Sequence, residues 1–378
     1  MHTLGARAHI IGLAEVEPPA SVRPSLEGMI FACVTDALAD AGIGRSEIDG
    51  VVIAASDQTD GRAISSMLTS GPAGAYLSDE INIASSPGHA FAMACLQIES
   101  GVQRRVLVAS WGKASEIAGT GIEDAERLSA EPFFDRDAGV TRLAALGMQA
   151  GLYRRSRPRA AEAAAVVAAK NHNNAADEDA KAVSAEDVAR SPLLAEPLRQ
   201  LEVAAASDGA YAVVLGDGSS RQERAVAVSG LAWYSEAYRL CDRDLAGAPH
   251  LRLAAAAAFR EANIRDPRSE VDLWELHDET ADAELLAYEA VGLCEDGGAP
   301  ELALSGATAR KGEYPVNPLG GAVAGEAPFG GGLRKLVRAS RYVRGDVPSI
   351  PAASVAFVQI ASGFAGQFQS AFVLRACR

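Results

Sequence analysis

The sequence has few cysteines, and their distribution suggests no structural role for them. The number of thiols is odd, they are scattered, and no two of them form a CxxC pair. This pattern argues against a disulfide scaffold and a structural zinc site, and it favours a reducing cytoplasm. The five cysteines are Cys33, Cys95, Cys241, Cys294 and Cys377. We therefore predict a cytoplasmic protein with no bound metal and no separate cofactor.

Long apolar runs are also absent. No stretch approaches the roughly 18 consecutive apolar residues of a membrane-spanning helix. Residues 1–11 lack the charged start, apolar stretch and cleavage site of an export signal. We expect neither a membrane span nor an export signal.

Positive charge is in deficit, with 35 basic against 49 acidic residues and a formal net charge of −14. Such a surface repels phosphate backbones, so a nucleic acid partner is not expected. The densest basic cluster is Arg154, Arg155, Arg157 and Arg159. It is too short to bind nucleic acid, but it fits either a single anionic phosphate or solvated surface charge.

The 378 residues, 48% of them hydrophobic, can form a sizeable core and exceed one average domain. Alternating apolar patterns predict strands and helices in turn, and Gly42 follows the first helix as its stop signal. The predicted strands are 7–15, 49–54, 105–110 and 210–216, and the predicted helices are 25–41 and 86–100. This order predicts an α/β protein.

The second half of the chain repeats this pattern. A helix at 251–263 precedes an aspartate-led strand at 272–277, and the ending 366–375 parallels 207–216. We predict a duplicated architecture with an N-terminal half at 1–222 and a C-terminal half at 223–378. The polar segment 114–197 is too long for a loop and is predicted to be a helical insertion or lid.

The most informative segment is 314–333, in which six of twenty residues are glycine and three are proline. Glycines at this density let a backbone approach a ligand closely and present free N–H groups to it. The alternative interpretation is a flexible turn. No GK[ST] follows, so the segment is not a phosphate-binding loop of the P-loop type.

This segment resembles a loop of the thiolase superfamily, in particular the sterol-carrier-protein type, with its NPxGGxxxxGHPxG pattern. Asn317, Pro318, Gly320, Gly321 and Pro328 match it. Residues 275–294 (ELHDETADAELLAYEAVGLC) and 82–101 also resemble family stretches. The resemblance covers nearly the whole chain. It implies a duplicated thiolase fold, a five-layer αβαβα arrangement with two mixed sheets and a helical insertion.

The chain departs from this family at its usual catalytic positions. Ser85 stands where the family has the acyl-carrying cysteine, and Ala327 replaces the histidine that activates it. The family's second cysteine, in a CxG motif, corresponds to Ala361 in the run Ala361, Ser362 and Gly363. Of the usual four groups only His277 is present. Because thiolysis needs an activated thiolate, the resemblance does not imply standard thiolase chemistry.

The oxyanion chemistry could remain. By resemblance, loop glycine N–H groups and His277, followed by Asp278, would stabilise negative charge on a CoA thioester carbonyl. A reaction through a CoA enolate, of the retro-aldol or Claisen type, needs no cysteine nucleophile. Glu326 is a candidate general base, or else a solvated loop carboxylate.

Other residues have two interpretations each. Ser85 is a helix N-cap or contacts the acyl group, and His89 faces the same pocket or lies on the helix surface. Asn317 would hold the loop by hydrogen bonds. Gly320, Gly321 and Gly363 would bind substrate. The arginine cluster could meet the phosphates of CoA.

Three classes of function follow from the resemblance. The first is an acyltransferase or lyase, including an aldolase, of lipid metabolism that acts on acyl-CoA. The second is a degenerate subunit that pairs with an active thiolase, and the third is acyl-CoA or lipid binding without chemistry. The resemblance also implies a homodimer and a small OB-fold or zinc-ribbon partner chain.

Overall fold

A computed structural model describes residues 8–19, 21–60, 64–76, 78–116, 127–176, 180–218 and 224–377. Within these ranges, every helix is too short or too polar to cross a bilayer. The predicted absence of an export signal concerns residues 1–11, most of which lie outside the described residues. The predicted boundary at 222/223 lies in a gap as well.

Eleven strands are described, and nine of them form one mixed sheet in the order β3-β2-β4-β7-β1-β8-β11-β10-β9, while β5 and β6 form a small separate pair. The strands are β1 His9–Val16, β2 Gly50–Ala54, β3 Asp79–Asn82, β4 Arg105–Lys113, β5 Leu193–Ala195, β6 Leu198–Arg199, β7 Asp208–Gly216, β8 Val226–Ser235, β9 Leu273–Glu275, β10 Val355–Ser362 and β11 Phe368–Ala376.

The helices lie between these strands, as the alternating pattern predicts. Those in the described ranges are α1 Leu26–Ala41, α2 Asp57–Asp60, α3 Ser66–Thr69, α4 Pro87–Glu99, α5 Arg142–Ser156, α6 Ala160–Ala175, α7 Ala185–Arg190, α8 Pro249–Glu261, α9 Pro267–Glu270, α10 Ala281–Ala290, α11 Ala299–Leu304 and α12 Gly331–Arg344. The first helix begins after its N-cap Ser25 and ends at Gly42, which has a left-handed backbone.

The duplication is visible in the order of the strands. The spatial order of strands β2-β4-β7-β1 in one half of the sheet matches the order β9-β10-β11-β8 in the other half. An aspartate precedes the second strand of each half and accepts hydrogen bonds from two successive backbone amides in both. Asp49 accepts hydrogen bonds from the backbone N–H of Arg104 and Arg105, and Asp272 accepts them from Ser354 and Val355.

The two predicted sheets are joined into one. Strands β1 and β8 pair antiparallel over two residue pairs, His9 with Ala227 and Ile10 with Val226. This short ladder connects the two half-sheets because the first strand of each half lies at the inner edge of its sheet. The predicted duplicated α/β class is confirmed, with the sheets linked rather than separate.

Alternate residues of the strands face different layers. Val51 packs with α1 on the outer face, whereas Val52 packs in the central layer with α4 and α12. In the C-terminal half, Phe372 faces this central layer and Val373 faces α8 and α10. The layers therefore run helix, sheet, helix, sheet, helix.

A glycine in the first strand of each half lets the outer helix pack closely. A Cβ on Gly12 would lie 2.4 Å from the Ala37 carbonyl oxygen of α1. A Cβ on Gly230 would lie 2.2 Å from the Ala258 carbonyl oxygen of α8. Since neither helix backbone can move so far without losing its packing, both positions require glycine.

The predicted insertion is helical and contributes α5, α6 and α7. Its alanine-rich helix α6 packs into the C-terminal core, where Ala163, Ala164 and Ala168 are buried against α10 and α11. Small side chains allow these helices to approach closely. The insertion is therefore partly a core element and not only a cover over the site.

Candidate active site

A cavity of about 650 Å³ lies where strand ends from both halves of the sheet meet. Asn82 ends β3, His277 follows β9 and Ser362 ends β10. The carboxyl ends of parallel strands are the usual position for a ligand site in α/β proteins. Leu128, Ser129 and Arg142 of the insertion complete the wall.

The structure brings four of the nine predicted site residues to this cavity and leaves five outside it. Those that line it are Ser85, His277, Glu326 and Gly363. Those that do not are Asp278, Asn317, Gly320, Gly321 and His89.

His277 is the buried imidazole of the cavity wall and is only 7% exposed. Its backbone N–H donates to Gln359 Oε1 at 3.1 Å, and Gln359 is fixed in turn by Gln369. Within the described part of the chain, neither ring nitrogen has a hydrogen-bond partner. A buried polar group left unpaired costs about 1–3 kcal/mol, so this ring is suited to a partner that enters the cavity.

Glu279 is a second charged group of the wall, which the sequence analysis missed. Its Oε2 lies 3.7 Å from His277 Nε2, within ion-pair range, and Arg142 Nη1 donates to its Oε1 at 2.5 Å. Burial alone would raise the pKa of Glu279, but Arg142 and His277 lower it to about 2. One feature of the sequence could have identified Glu279, namely its position two residues beyond His277. In an extended segment this spacing places both side chains on the same side.

Asp278 points away from the cavity and is fully buried. Lys335 Nζ donates to its Oδ1 at 3.1 Å, and it accepts further bonds from the Ala322 N–H and Asn171 Nδ2. Burial alone would raise its pKa, but Lys335 and the Ala322 N–H lower it overall. Asp278 thus ties the glycine-rich loop to α12 from behind the cavity.

The glycine-rich loop uses its backbone groups internally. The N–H groups of Gly320 and Gly325 donate to loop carbonyls, and those of Ala322 and Val323 donate to Asp278. Arginines bind loop carbonyl oxygens, namely Arg310 at Pro318, Arg338 at Leu319 and Gly320, and Arg334 at Gly321. The amides of Gly320, Ala322, Val323 and Gly325 are therefore engaged internally and are not free to form an oxyanion cradle.

Asn317 and Gly321 serve this internal arrangement. Asn317 Oδ1 accepts from the Leu276 N–H at 2.9 Å and its Nδ2 donates to Glu284 at 2.7 Å, so it holds the loop to β9 and α10, as predicted for a loop anchor. A Cβ on Gly321 would lie 1.8 Å from Asp278 Oδ2. Glycine is needed there because the carboxylate packs directly on the backbone.

Ser85 does not cap α4, contrary to one of its two interpretations. The cap is Ser86, whose Oγ accepts from the Gly88 N–H at 3.2 Å because only the residue just before the helix can reach that amide. Ser85 Oγ instead lies 3.0 Å from His89 Nδ1 while Ser85 itself lines the cavity. His89 lies behind it, and burial lowers its pKa.

Glu326, in the glycine-rich loop, and Gly363, after β10, both border the cavity. The backbone of Glu326 is fixed by bonds with Ala205 and Ser207. Among the described residues, its carboxylate has no recorded hydrogen-bond partner. Gly363 lies in the β10–β11 turn with a left-handed φ of 73°.

The arginine cluster is divided, since Arg155 and Arg159 are exposed, as expected of solvated surface charge, whereas Arg154 and Arg157 form internal ion pairs. Arg154 contacts Glu202 and Asp282, each at 2.7 Å, and Arg157 contacts Glu289 at 2.6 Å. Arg159 alone forms an exposed pair, with Glu162. Buried carboxylates attract these side chains inward, so neither Arg154 nor Arg157 is available to a CoA phosphate or to solvent as an isolated charge.

None of the residues found to line the cavity is a cysteine. Burial raises the pKa of the Cys33 and Cys95 thiols, which keeps them protonated and unreactive. Ala361, at the position of the family's second cysteine, lines the cavity, and Ala327 is fully buried.

Comparison with known proteins agrees with this architecture. The family model described as "Thiolase C-terminal domain-like" matches residues 234–376. Acetyl-CoA acetyltransferase of Methanothermobacter thermautotrophicus is 25% identical over 89% of this chain and 91% of that protein. Bovine (Bos taurus) sterol carrier protein 2 is 28% identical over 50% of this chain, although the match spans only 37% of that protein.

A lyase and an aldolase are among the matches. The 17-hydroxy-3-oxo-4-pregnene-20-carboxyl-CoA lyase of Mycobacterium tuberculosis is 23% identical over 95% of this chain and 97% of that protein. The solved structure titled "Ltp2-ChsH2(DUF35) aldolase" superposes with a TM-score of 0.83 and 22% identity, and covers 99% of each chain. At this identity the superposition establishes the fold.

The fold and these matches define a duplicated α/β protein of the thiolase type. The chain is similar in sequence and in fold to the thiolase superfamily and to its sterol-carrier-protein-2-like members. These similarities support a thiolase-like function related to CoA thioesters.

Proposed function

We propose that this protein cleaves or forms a carbon–carbon bond in a CoA thioester by a retro-aldol or Claisen-type reaction without a cysteine nucleophile. The observation that carries the proposal is the unpartnered, buried imidazole of His277 in the cavity wall. The backbone of His277 is held by Gln359, and its ring nitrogens make no hydrogen bond within the described residues, although Glu279 lies 3.7 Å from Nε2. The ring can therefore donate to a substrate oxygen without breaking an internal hydrogen bond.

In the retro-aldol direction, the substrate is a β-hydroxyacyl-CoA. A base removes the proton from the β-hydroxyl, the Cα–Cβ bond breaks, and the β-carbon leaves as a carbonyl compound. The electron pair moves to the thioester, which becomes an enolate and is then protonated at Cα. His277 donates a hydrogen bond to the enolate oxygen, where negative charge develops.

Glu326 is the proposed base. It lines the same cavity as His277, and its carboxylate is not used in any recorded hydrogen bond among the described residues. Glu279 is less suited to that role because its pKa of about 2 makes it a weak base. The Glu279 carboxylate, held by Arg142, instead lies beside the His277 imidazole. There it favours the ring orientation in which His277 can donate a hydrogen bond.

The proposed partners follow the same reasoning. The aldolase structure that superposes on this chain is named with a ChsH2(DUF35) component. We propose a small partner chain here, of the OB-fold or zinc-ribbon type that the family resemblance implies. We also propose a homodimer, two halves divided near residue 222, and a cytoplasmic location. Exposed apolar residues in the segment that leads to edge strand β3, Ile64, Met67 and Tyr76, offer a surface for assembly.

The test is an assay of purified protein, alone and with candidate OB-fold chains, on β-hydroxyacyl-CoA and β-ketoacyl-CoA substrates. The variant His277→Ala is expected to lose about 100- to 1,000-fold in kcat, the usual effect of removing one oxyanion donor. The control is His172→Ala, whose ring lies outside the cavity and contacts the Leu201 carbonyl. Activity that His277→Ala leaves intact would overturn the mechanism.

A degenerate subunit is the second candidate, favoured by the alanines at positions 327 and 361 and by the internally bonded loop amides. That function predicts no turnover with any substrate or partner, together with tight association with an active thiolase. Calorimetry with CoA separates the two candidates, since only the enzyme needs to bind the thioester in this cavity.

A further inference from the structure

We propose that Ser85 and His89 form a nucleophile–base pair that hydrolyses simple acyl-CoA thioesters in the same cavity. Ser85 lines the cavity, and its Oγ lies 3.0 Å from His89 Nδ1, which lies behind it. The proposed lyase reaction uses neither residue. The proposal rests on the proposed function only for the binding of a CoA thioester.

The position of the pair follows from the start of α4. Ser86 caps the helix and Pro87 occupies its first turn, so Ser85 lies just outside the helix and His89 four residues later inside it. This spacing places the two side chains one turn apart on the same face. Ser362 Oγ also donates to the Ser85 carbonyl at 2.8 Å, which fixes the serine against the end of β10.

The surroundings of His89 favour a neutral ring. Its centroid lies 5.5 Å from that of Phe368 and 6.4 Å from that of Trp233, and burial lowers its pKa. A neutral imidazole is the form that can accept a proton. Nδ1 faces Ser85, and in the described part of the chain Nε2 has no hydrogen-bond partner. The proposed reaction uses the tautomer that carries its proton on Nε2 and leaves Nδ1 bare towards Ser85.

The reaction proceeds in two balanced steps. Ser85 Oγ attacks the thioester carbonyl carbon and its proton moves to His89 Nδ1. The C–S bond then breaks, and the CoA thiolate leaves with that proton while an acyl-serine ester remains. Water attacks the ester with His89 as base, Ser85 recovers a proton, and the free carboxylic acid departs.

The Ser85–His89 pair differs from the acyl-carrying cysteine that the family has at the position of Ser85. A serine hydroxyl is a poor nucleophile unless a base lies within hydrogen-bond reach, and here the neighbouring helical turn provides one. His277 lies in the wall of the same cavity and can donate to the oxyanion of the tetrahedral intermediate. The two activities would therefore share an oxyanion donor but not a reacting group.

The substrates separate this proposal from the proposed lyase. Saturated acyl-CoA thioesters carry no β-hydroxyl, so they cannot undergo retro-aldol cleavage. Hydrolysis releases a free CoA thiol, whereas retro-aldol cleavage leaves the thioester intact. Loss of one activity is therefore measured independently of the other.

The experiment measures thiol release from acetyl-CoA, butyryl-CoA and octanoyl-CoA by the full chain. Ser85→Ala and His89→Gln are each expected to reduce kcat/KM by at least about 100-fold, the lower range for a positioned base. The matched control is Ser100→Ala at the other end of α4, where the hydroxyl contacts the Gln97 carbonyl. Thermal melting confirms that each variant is folded.

A covalent readout keeps the test decisive. Ser85→Cys should become acylated at position 85 by the same thioesters, detected by peptide mass spectrometry, and adding His89→Gln should slow that acylation. Thiol release that Ser85→Ala leaves unchanged would overturn the proposal. Absence of both thiol release and acylated Ser85→Cys in folded protein would overturn it too.

Discussion

The glycine-rich loop 314–333 and the strand-end segment 275–280 are neighbours in space but differ in how their polar groups are used. In the loop, backbone amides donate to Asp278 or to loop carbonyls, and three arginines donate to other loop carbonyls. In the segment, His277 has two ring nitrogens without partners. Glycine content alone suggested function for the loop. The difference teaches that unsatisfied buried groups, rather than flexible ones, indicate where a ligand is accommodated.

The largest expected effect comes from removing a partner of the region whose polar groups are fully hydrogen-bonded. Lys335→Met should destabilise the protein by about 3–5 kcal/mol because it leaves the buried carboxylate of Asp278 without its counter-ion. Urea unfolding measures this change. His277→Ala serves as the comparison and should cost much less, since its ring makes no hydrogen bond within the described residues and only a 3.7 Å contact with Glu279. A smaller loss for Lys335→Met than for His277→Ala would contradict the contrast.

The next largest effect concerns the cavity wall and is seen in how stability depends on pH. The pKa of Glu279 is lowered from 4.5 to about 2, so its contribution to the free energy of unfolding is present above pH 4.5 and lost as pH falls towards 2. Its full size is about 3 kcal/mol. Arg142→Gln removes the main partner and should reduce stability more at pH 6 than at pH 3, as measured by urea unfolding.

The control for this pH series is Arg159→Gln, whose partner Glu162 is exposed. It should show no comparable change between the two pH values. An equal loss for Arg142→Gln at pH 3 and pH 6 would mean that the ion pair with Glu279 does not set that carboxylate's pKa.

The smallest expected effect tests the contact between the two regions. Gly321→Ala places a methyl group against the Asp278 carboxylate and should destabilise the protein by about 1–3 kcal/mol, as overpacking does. Thermal or urea unfolding measures the loss. A neutral result would mean that the loop shifts freely and that its saturated bonds are not a rigid support. Gly297→Ala is a useful comparison because a Cβ there meets no atom, although its φ of 87° carries its own strain.

Much of the fold could be predicted from local pattern. Ser25 and Gly42 bound α1 as their chemistry suggests, and the paired endings 207–216 and 366–375 both became central antiparallel strands. These features depend on neighbouring residues, hydrophobic periodicity and capping, all of which are visible in one dimension.

The residues that were interpreted wrongly or missed depend on contacts that local sequence pattern does not show. Arg154 and Arg157 look like a surface cluster, but their partners are 128 and 132 residues away in α10. Ser85 and Ser86 are chemically alike, and one residue of difference decides which of them caps the helix. Glu279 has no motif of its own and becomes important only because Arg142 and His277 lie against it.

The sequence by itself determined the alternation of strands and helices, their duplication, the resemblance to the thiolase superfamily and the absence of cysteine at that family's catalytic positions, because each depends on residue type and order. Only the tertiary structure decided which polar groups are satisfied and which are left facing the cavity. That outcome depends on partners far apart in the chain, and the energy of a buried charge is set by what surrounds it in space.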